Sequence, residues 1–76
     1  MATELELIRK KFVPRVTQED LARRAGMPLS SYRNAEKGRN VSYTTAKYIL
    51  LAVNEVKRER GEDELGHVED LGLSLV

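Results

Sequence analysis

The sequence predicts an all-α fold, a compact bundle of four helices in one small domain. Four segments repeat apolar residues at the three- and four-residue spacing of an amphipathic helix. Glycine or proline stands between these segments, and a threonine or serine precedes two of them at the position of a helix N-cap. The 76-residue chain contains no cysteine, so its small core must hold without disulfide bonds or thiolate metal sites.

The first predicted helix runs from Glu4 to about Phe12. Its apolar positions, separated by charged residues, are Leu5, Ile8 and Phe12. Pro14 ends this segment, because the residue before a proline disfavours helical torsion angles.

The second predicted helix covers Gln18 to Ala25 and follows Thr17, a good N-cap residue. Thr17 and Asp20 have capping-box spacing, and acidic residues suit the positive end of a helix. The residues expected to be buried are Leu21, Ala22 and Ala25. Gly26 ends the helix, since glycine readily adopts the left-handed conformation found there.

Pro28 opens the third predicted helix, which continues to Lys37 and ends at Gly38. Its inward face has helical spacing and consists of Tyr32, Ala35 and Glu36. The opposite face is polar or adaptable. This helix therefore has one side for the core and one for solvent or a partner.

Ser42 is the predicted N-cap of the fourth helix, which runs from Tyr43 to about Arg60 and is followed by Gly61. Its predicted core positions are Thr45, Ile49, Ala52, Val53 and Val56. The apolar residues available in the tail are Val68, Leu71, Leu73, Leu75 and Val76. Every residue from 48 to 53 is apolar, so more than one face of the helix needs covering. The tail can fold back, form a short strand or pack across a dimer.

Charge separates residues 1–61, the predicted functional domain, from an acidic and apolar tail, residues 62–76. All 13 Lys and Arg lie within residues 1–60 against 7 acidic residues, a net charge of +6. Residues 61–76 hold the other 5 acidic residues and no base, a net charge of −5. This asymmetry indicates either a polyanionic partner or ordinary surface charge with a solubilising tail.

Catalytic patterns are missing from the sequence, which predicts no enzyme, no metal site and no cofactor. The single histidine, His67, stands in the acidic tail without a spaced partner ligand. The sequence contains no glycine-rich phosphate loop and no nucleophile elbow. It also lacks an apolar run of membrane-spanning length and a signal-peptide pattern, which favours a soluble intracellular protein.

The segment "AGMP" joins the second and third helices through a tight turn of the helix-turn-helix type. Together with "TQEDLARRAG", "EKG" and "VSYTTA", it resembles the Cro and phage-repressor (XRE) helix-turn-helix family. The resemblance covers roughly residues 16–54. A weaker, LacI-like resemblance lies in "RNVSYTTAKYILLAVNEV". Both imply sequence-specific binding of duplex DNA to regulate transcription, with the recognition helix, about residues 28–37, in the major groove.

The XRE resemblance implies a role for each matching position. The residues facing the bases would be Leu29, Ser30, Arg33 and Asn34. The residues contacting phosphates would be Gln18, Arg39, Asn40 and Tyr43. Lys11 and Glu36 would form a structural pair. Pro28 stands where the family usually has a capping Ser or Thr, so the exact start of the recognition helix is left open.

The chemistry of the outward residues agrees with base reading. Arg33 can bind guanine O6 and N7 with two hydrogen bonds, and Asn34 can bind adenine N6 and N7 in the same way. Leu29 can lie against a thymine methyl group. The free N–H groups at the start of a helix favour phosphate. A solvated helix face is the simpler alternative for Arg33 and Asn34.

These observations predict a repressor-like transcriptional regulator that binds double-stranded DNA as a homodimer without a cofactor. The expected setting is the cytoplasm, associated with the nucleoid, of a bacterium or its phage. An additional protein partner could bind through the tail. The alternative is a protein-interaction module on the same fold, such as an antitoxin-like partner binder or a regulatory subunit.

Overall fold

Four α-helices and one short 3-10 helix make up the computed structural model, which describes residues 2–76. The helices are α1 Glu4–Lys11, α2 Gln18–Ala25, α3 Leu29–Glu36 and α4 Tyr43–Glu59, followed by the 3-10 helix Val68–Leu71. In the described residues, the only β-type pairing is a single-residue bridge between Val41 and Leu75. The all-α prediction is confirmed. No helix in residues 2–76 has both the length and the apolar character that crossing a membrane requires.

Side-chain caps fix the start of three helices. Thr3, Thr17 and Ser42 each accept a hydrogen bond from the backbone N–H three residues further on. The caps predicted at Thr17 and Ser42 are therefore confirmed. The predicted capping box is only half formed, because the Asp20 carboxylate accepts from two arginines one turn further along α2.

Glycines fix the end of α2 and of two later helices. Gly26 adopts a φ of 71°, and the backbone N–H groups of Gly26 and Met27 donate back to carbonyls of α2. This left-handed turn ends α2 and is followed by α3 from Leu29 on, and a side chain at Gly26 would strain it. The same pattern of backbone bonds ends α3 at Gly38 and α4 at Gly61, as predicted.

Pro28 lies just outside α3 rather than in its first turn. Its ψ of 149° is extended, it provides no side-chain cap, and the helix begins at Leu29. The predicted start is thus one residue early. The Pro28 carbonyl still accepts from Tyr32 N at 3.1 Å, so this residue closes the first turn of α3 through its backbone.

The core brings residues of all four helices together. Its buried members are Leu5, Phe12, Val16, Leu21, Ala22, Ala25, Tyr32, Ala35, Ile49, Ala52, Val53, Val56 and Leu71. Thr45 was predicted to belong to the inward stripe of α4, but it is only half-buried and Ala46 takes its place. The Thr45 hydroxyl accepts from Ser42 Oγ at 2.9 Å, which holds it at the polar start of the helix.

The tail folds back along its own chain. Val68 and Leu71 are buried against α1 and α4. Val41 N donates to Ser74 O at 2.8 Å and Val76 N donates to Val41 O at 3.0 Å, which forms the short parallel bridge. Two of the predicted arrangements, folding back and a minimal strand pairing, therefore occur together.

Asn54 ties the tail to α4. Its Nδ2 donates to Leu65 O at 2.9 Å, and its Oδ1 accepts from Leu65 N at 2.7 Å. Asn54 is buried, so both bonds are shielded from water. This side chain therefore satisfies both backbone groups of Leu65 at the point where the tail turns back.

Replacing Asn54 with alanine is expected to lower the free energy of unfolding by about 1–3 kcal/mol, because both backbone groups of Leu65 lose their partner. Hydrogen exchange of the tail amides, measured with urea unfolding, should show the local loosening. Asn40→Ala is the matched control, since Asn40 is exposed and accepts a single hydrogen bond, from Ser74 in the tail. Equal effects of the two variants would contradict the anchoring role of Asn54.

Candidate nucleic-acid interface

The outer face of α3 is polar and open to solvent. Ser30, Arg33 and Asn34 are exposed, whereas Tyr32 on the opposite side is fully buried. Leu29 differs from the prediction, since it is half-buried and packs against the core. In a helix of 3.6 residues per turn, position 29 lies at the border between the buried and exposed sides, which explains its intermediate position.

A buried carboxylate fixes α3 against α1 and α2. The Glu36 side chain accepts from Arg9 Nε at 2.6 Å, from Gln18 Nε2 at 2.9 Å and from Tyr32 Oη at 2.6 Å. Glu36 is 1% exposed. Thr3, the N-cap of α1, also donates to the Glu36 carbonyl at 3.0 Å. One residue thus connects three helices by hydrogen bonds.

Arg9, not Lys11, is the ion-pair partner of Glu36. The Lys11–Glu36 pair expected from the family resemblance is therefore wrong. Arg9 follows Leu5 by four residues and so shares its buried side of α1, whereas Lys11 lies on the exposed side. The sequence could have indicated this partner, because helical spacing places Arg9 within the apolar stripe of α1 that ends at Phe12.

The protonation of this cluster follows from its contacts. Burial by itself raises the pKa of Glu36, but hydrogen bonds from Arg9, Tyr32 and Gln18 outweigh it, so that the pKa lies below the ordinary value of 4.5. Burial raises the pKa of Tyr32, and the bond to Glu36 raises it further. The bond with Glu36 also raises the pKa of Arg9. The ion pair is therefore fully charged at neutral pH.

Gln18 links this buried cluster to the exposed face of α3. While its Nε2 donates to Glu36, its Oε1 accepts from Arg33 Nε at 3.2 Å. The Arg33 guanidinium is thereby held at one nitrogen, and its two terminal nitrogens point to no other hydrogen-bond partner in residues 2–76. This connection between the predicted phosphate contact and the predicted base contact was not apparent from the sequence.

The second part of the candidate surface lies between α3 and the start of α4. Arg39, Asn40 and Tyr43 are all exposed, as their predicted role requires. An open groove of about 260 Å³ brings Asn34 and Asn40 together with residues of both helices; its lining is Ser31, Asn34, Asn40, Val41, Ser42 and Thr45. Ser31 and Thr45 were not expected at this surface, because the groove arises from packing between helices.

Three basic residues around α3 form no ion pair in the described residues, whereas two acidic residues of the tail are paired at the far end of α4. In the tail, Glu62 pairs with Lys57 at 3.5 Å and Glu64 with Arg58 at 3.6 Å, at the far end of α4. Around α3, the three basic residues Arg33, Lys37 and Arg39 form no ion pair within the part of the chain that the structure describes. The acidic tail therefore makes no ion pair with these three residues.

No known protein family, curated protein or solved structure matches this chain. The resemblance to the Cro and phage-repressor family therefore stays a prediction.

Metal binding has no support in the described residues, which contain no cluster of three or more His, Cys, Asp or Glu side chains. His67 is exposed in the tail, where its backbone N–H donates to Asp70 at 3.1 Å and opens the 3-10 helix. Within residues 2–76, every buried polar side-chain atom has a hydrogen-bond partner.

Proposed function

We propose that this chain is a repressor-like transcriptional regulator of the Cro and phage-repressor kind, which binds specific sequences in duplex DNA. The observation that carries the proposal is the exposed side of α3. It presents Arg33 and Asn34 on the second helix of a helix-turn-helix. Basic side chains that form no ion pair in the described residues lie beside it, and its outer face carries no acidic side chain.

Arg33 and Asn34 would recognise the DNA bases. Because Gln18 occupies Nε of Arg33, the two terminal nitrogens remain for guanine O6 and N7. Asn34 carries both a donor and an acceptor, as adenine N6 and N7 require. Ser30 can donate to or accept from either base pair, and the half-buried Leu29 would add only an edge contact to a thymine methyl group.

Residues at the two ends of the surface would bind phosphates. Gln18 stands in the first turn of α2, where free backbone N–H groups favour an anion. Arg39, Asn40 and Tyr43 stand before and at the start of α4, on the other side of the recognition helix. Contacts on both sides would fix the register of α3 in the groove, while α3 itself reads the sequence.

The active form in this proposal is a homodimer in the bacterial or phage-host cytoplasm, without a cofactor. Two copies related by a two-fold axis would read half-sites about 34 Å apart. The exposed apolar residues of α4, Tyr48 and Leu51, support association.

Selection of bound sequences from a random duplex pool at two salt concentrations tests the proposal. We expect one enriched motif with two-fold symmetry, and an affinity that falls by about a thousandfold between 50 and 200 mM salt if the dimer makes about six phosphate contacts. Weak binding without an enriched motif at either salt concentration would contradict DNA reading. It would favour the alternative, a partner-binding module on the same fold.

A further inference from the structure

The outward side of α4 is left uncovered by the rest of the fold. Leu51 is 60% exposed and Tyr48 is 53% exposed, although both are apolar or aromatic. They belong to a stripe with alternating steps of four and three residues, formed by Thr44, Tyr48, Leu51, Glu55 and Arg58. All five are exposed, and the centre of the stripe, Tyr48 and Leu51, is apolar or aromatic, so the stripe can form the seam between two paired helices.

The neighbours of α4 cover its other sides. On one flank, Arg24 of α2 binds Glu55 and Glu59 at 2.6 and 2.9 Å. On the other flank, Asn54 is covered by Leu65 of the tail. Arg24 thus reaches the stripe at Glu55, and Glu64 of the tail pairs with Arg58 at 3.6 Å, whereas the centre of the stripe, Tyr48 and Leu51, stays exposed.

Opposite charges stand at equal distances from Leu51. Lys47 precedes it by four residues and Glu55 follows it by four, which places each charge about 6 Å from Leu51 along the helix axis. Lys47 makes no ion pair in the described residues. Glu55 is half-exposed, and Arg24 binds its Oε1, which leaves Oε2 for a second cation. The charges on either side of Leu51, Lys47 and Glu55, can therefore pair with those of a second copy.

We propose that α4 is the homodimer interface, with two copies of this chain packed antiparallel about a two-fold axis at Leu51. In that register Leu51 meets Leu51 of the second copy, and Lys47 of each copy faces Glu55 of the other. A parallel pair would instead place Lys47 opposite Lys47 and Glu55 opposite Glu55, which is repulsive. This inference specifies the geometry of the homodimer in the proposed function and rests on it.

The proposed packing sets the two DNA-facing surfaces apart. Tyr43 lies eight residues before Leu51, so the two copies of Tyr43 would stand about 24 Å apart along the paired helices. Each candidate surface begins at this end of α4. The antiparallel arrangement thus places the two candidate surfaces at opposite ends of one seam. Binding to two separate half-sites requires such a separation.

Sedimentation without DNA tests the apolar centre of the seam. The chain is expected to dimerise at high micromolar concentration, and Leu51→Glu is expected to weaken the dimer by at least about tenfold. Leu7→Glu is the matched control, since Leu7 is a similarly exposed leucine on α1, 41% exposed, outside the seam. A chain that stays monomeric, or a dimer that survives Leu51→Glu unchanged, overturns the proposal.

Charge reversal tests the register. Lys47→Glu and Glu55→Lys are each expected to sediment as monomers, because each creates two like-charge contacts across the axis. The double variant that carries both changes is expected to regain the dimer, since each acid then faces a base of the second copy only in the antiparallel register. Thermal unfolding checks that the three variants are folded. A double variant that stays monomeric overturns the antiparallel register.

These outcomes are separable from the fate of the proposed function, because none of them involves DNA. A monomer that still selects a DNA motif would contradict the α4 interface but not the proposed DNA binding. A dimer with the expected charge pattern but no affinity for duplex DNA would contradict the proposed DNA binding but not the α4 interface.

Discussion

Replacing Glu36 with glutamine is expected to lower the free energy of unfolding at neutral pH by about 3–5 kcal/mol, the range for breaking a buried ion pair. The amide would leave the partly buried Arg9 without a counter-charge. It would also present N–H donors where Arg9, Gln18 and Tyr32 all donate. Urea unfolding of both proteins, followed by far-ultraviolet circular dichroism, measures the difference.

The effect of Glu36→Gln should also depend on pH. Because the pKa of Glu36 is lowered below 4.5 in the folded state, its contribution is fully present above about 4.5. It is lost as the pH falls through the lower, folded-state value. The stability gap between the two proteins should therefore be widest near neutrality and close in acid.

Glu6→Gln is the control for this prediction. Glu6 pairs with Lys10 at 3.1 Å on the surface of α1, and an exposed pair contributes only about 0–1 kcal/mol. Similar losses for the two variants, or a gap for Glu36→Gln that widens in acid, would contradict a buried, ionised Glu36.

Arg33→Ala is expected to cost about 1–3 kcal/mol in binding the selected duplex and to relax the preference at one base pair in each half-site. The lost bonds to guanine account for both effects. Titration against the selected duplex and against a set with single base changes measures them. Arg39→Ala is the comparison, since a phosphate contact should weaken all sequences alike. An unchanged base preference in Arg33→Ala would remove Arg33 from base reading.

Gln18→Ala distinguishes a phosphate contact from a residue that also positions Arg33. A phosphate contact alone would weaken every duplex equally. The bond from Arg33 Nε to Gln18 Oε1 predicts an additional loss of preference at the base pair that Arg33 reads. The two substitutions should then be less than additive in a double-mutant cycle. Strict additivity, with the base preference intact in Gln18→Ala, would leave Gln18 without a positioning role.

Local signals in the sequence were sufficient for the helices. Thr17 and Ser42 accept from the N–H three residues ahead, and Gly26, Gly38 and Gly61 follow their helices with a positive φ. Each of these effects is confined to one turn of backbone. The helix bounds consequently agree with the prediction to within one or two residues.

Side-chain positions on the border of a face were not determined locally. Leu29 satisfies an outward pattern on α3, yet it turns partly into the core beside the other helices. Thr45 fits an inward pattern on α4, yet it stays at the polar helix start while Ala46 is buried. In both cases the neighbouring helix, not the periodicity, decides which side is buried.

The sequence by itself determined four helices, the N-caps of two of them and the polar outer face of α3, because backbone hydrogen bonding and helical periodicity act over a few residues. Only the tertiary structure decided that Arg9 pairs with Glu36 and that Gln18 connects Glu36 to Arg33. These partners are 27, 18 and 15 residues apart in the chain. Their contacts depend on how three helices pack around one buried carboxylate, which no local pattern specifies.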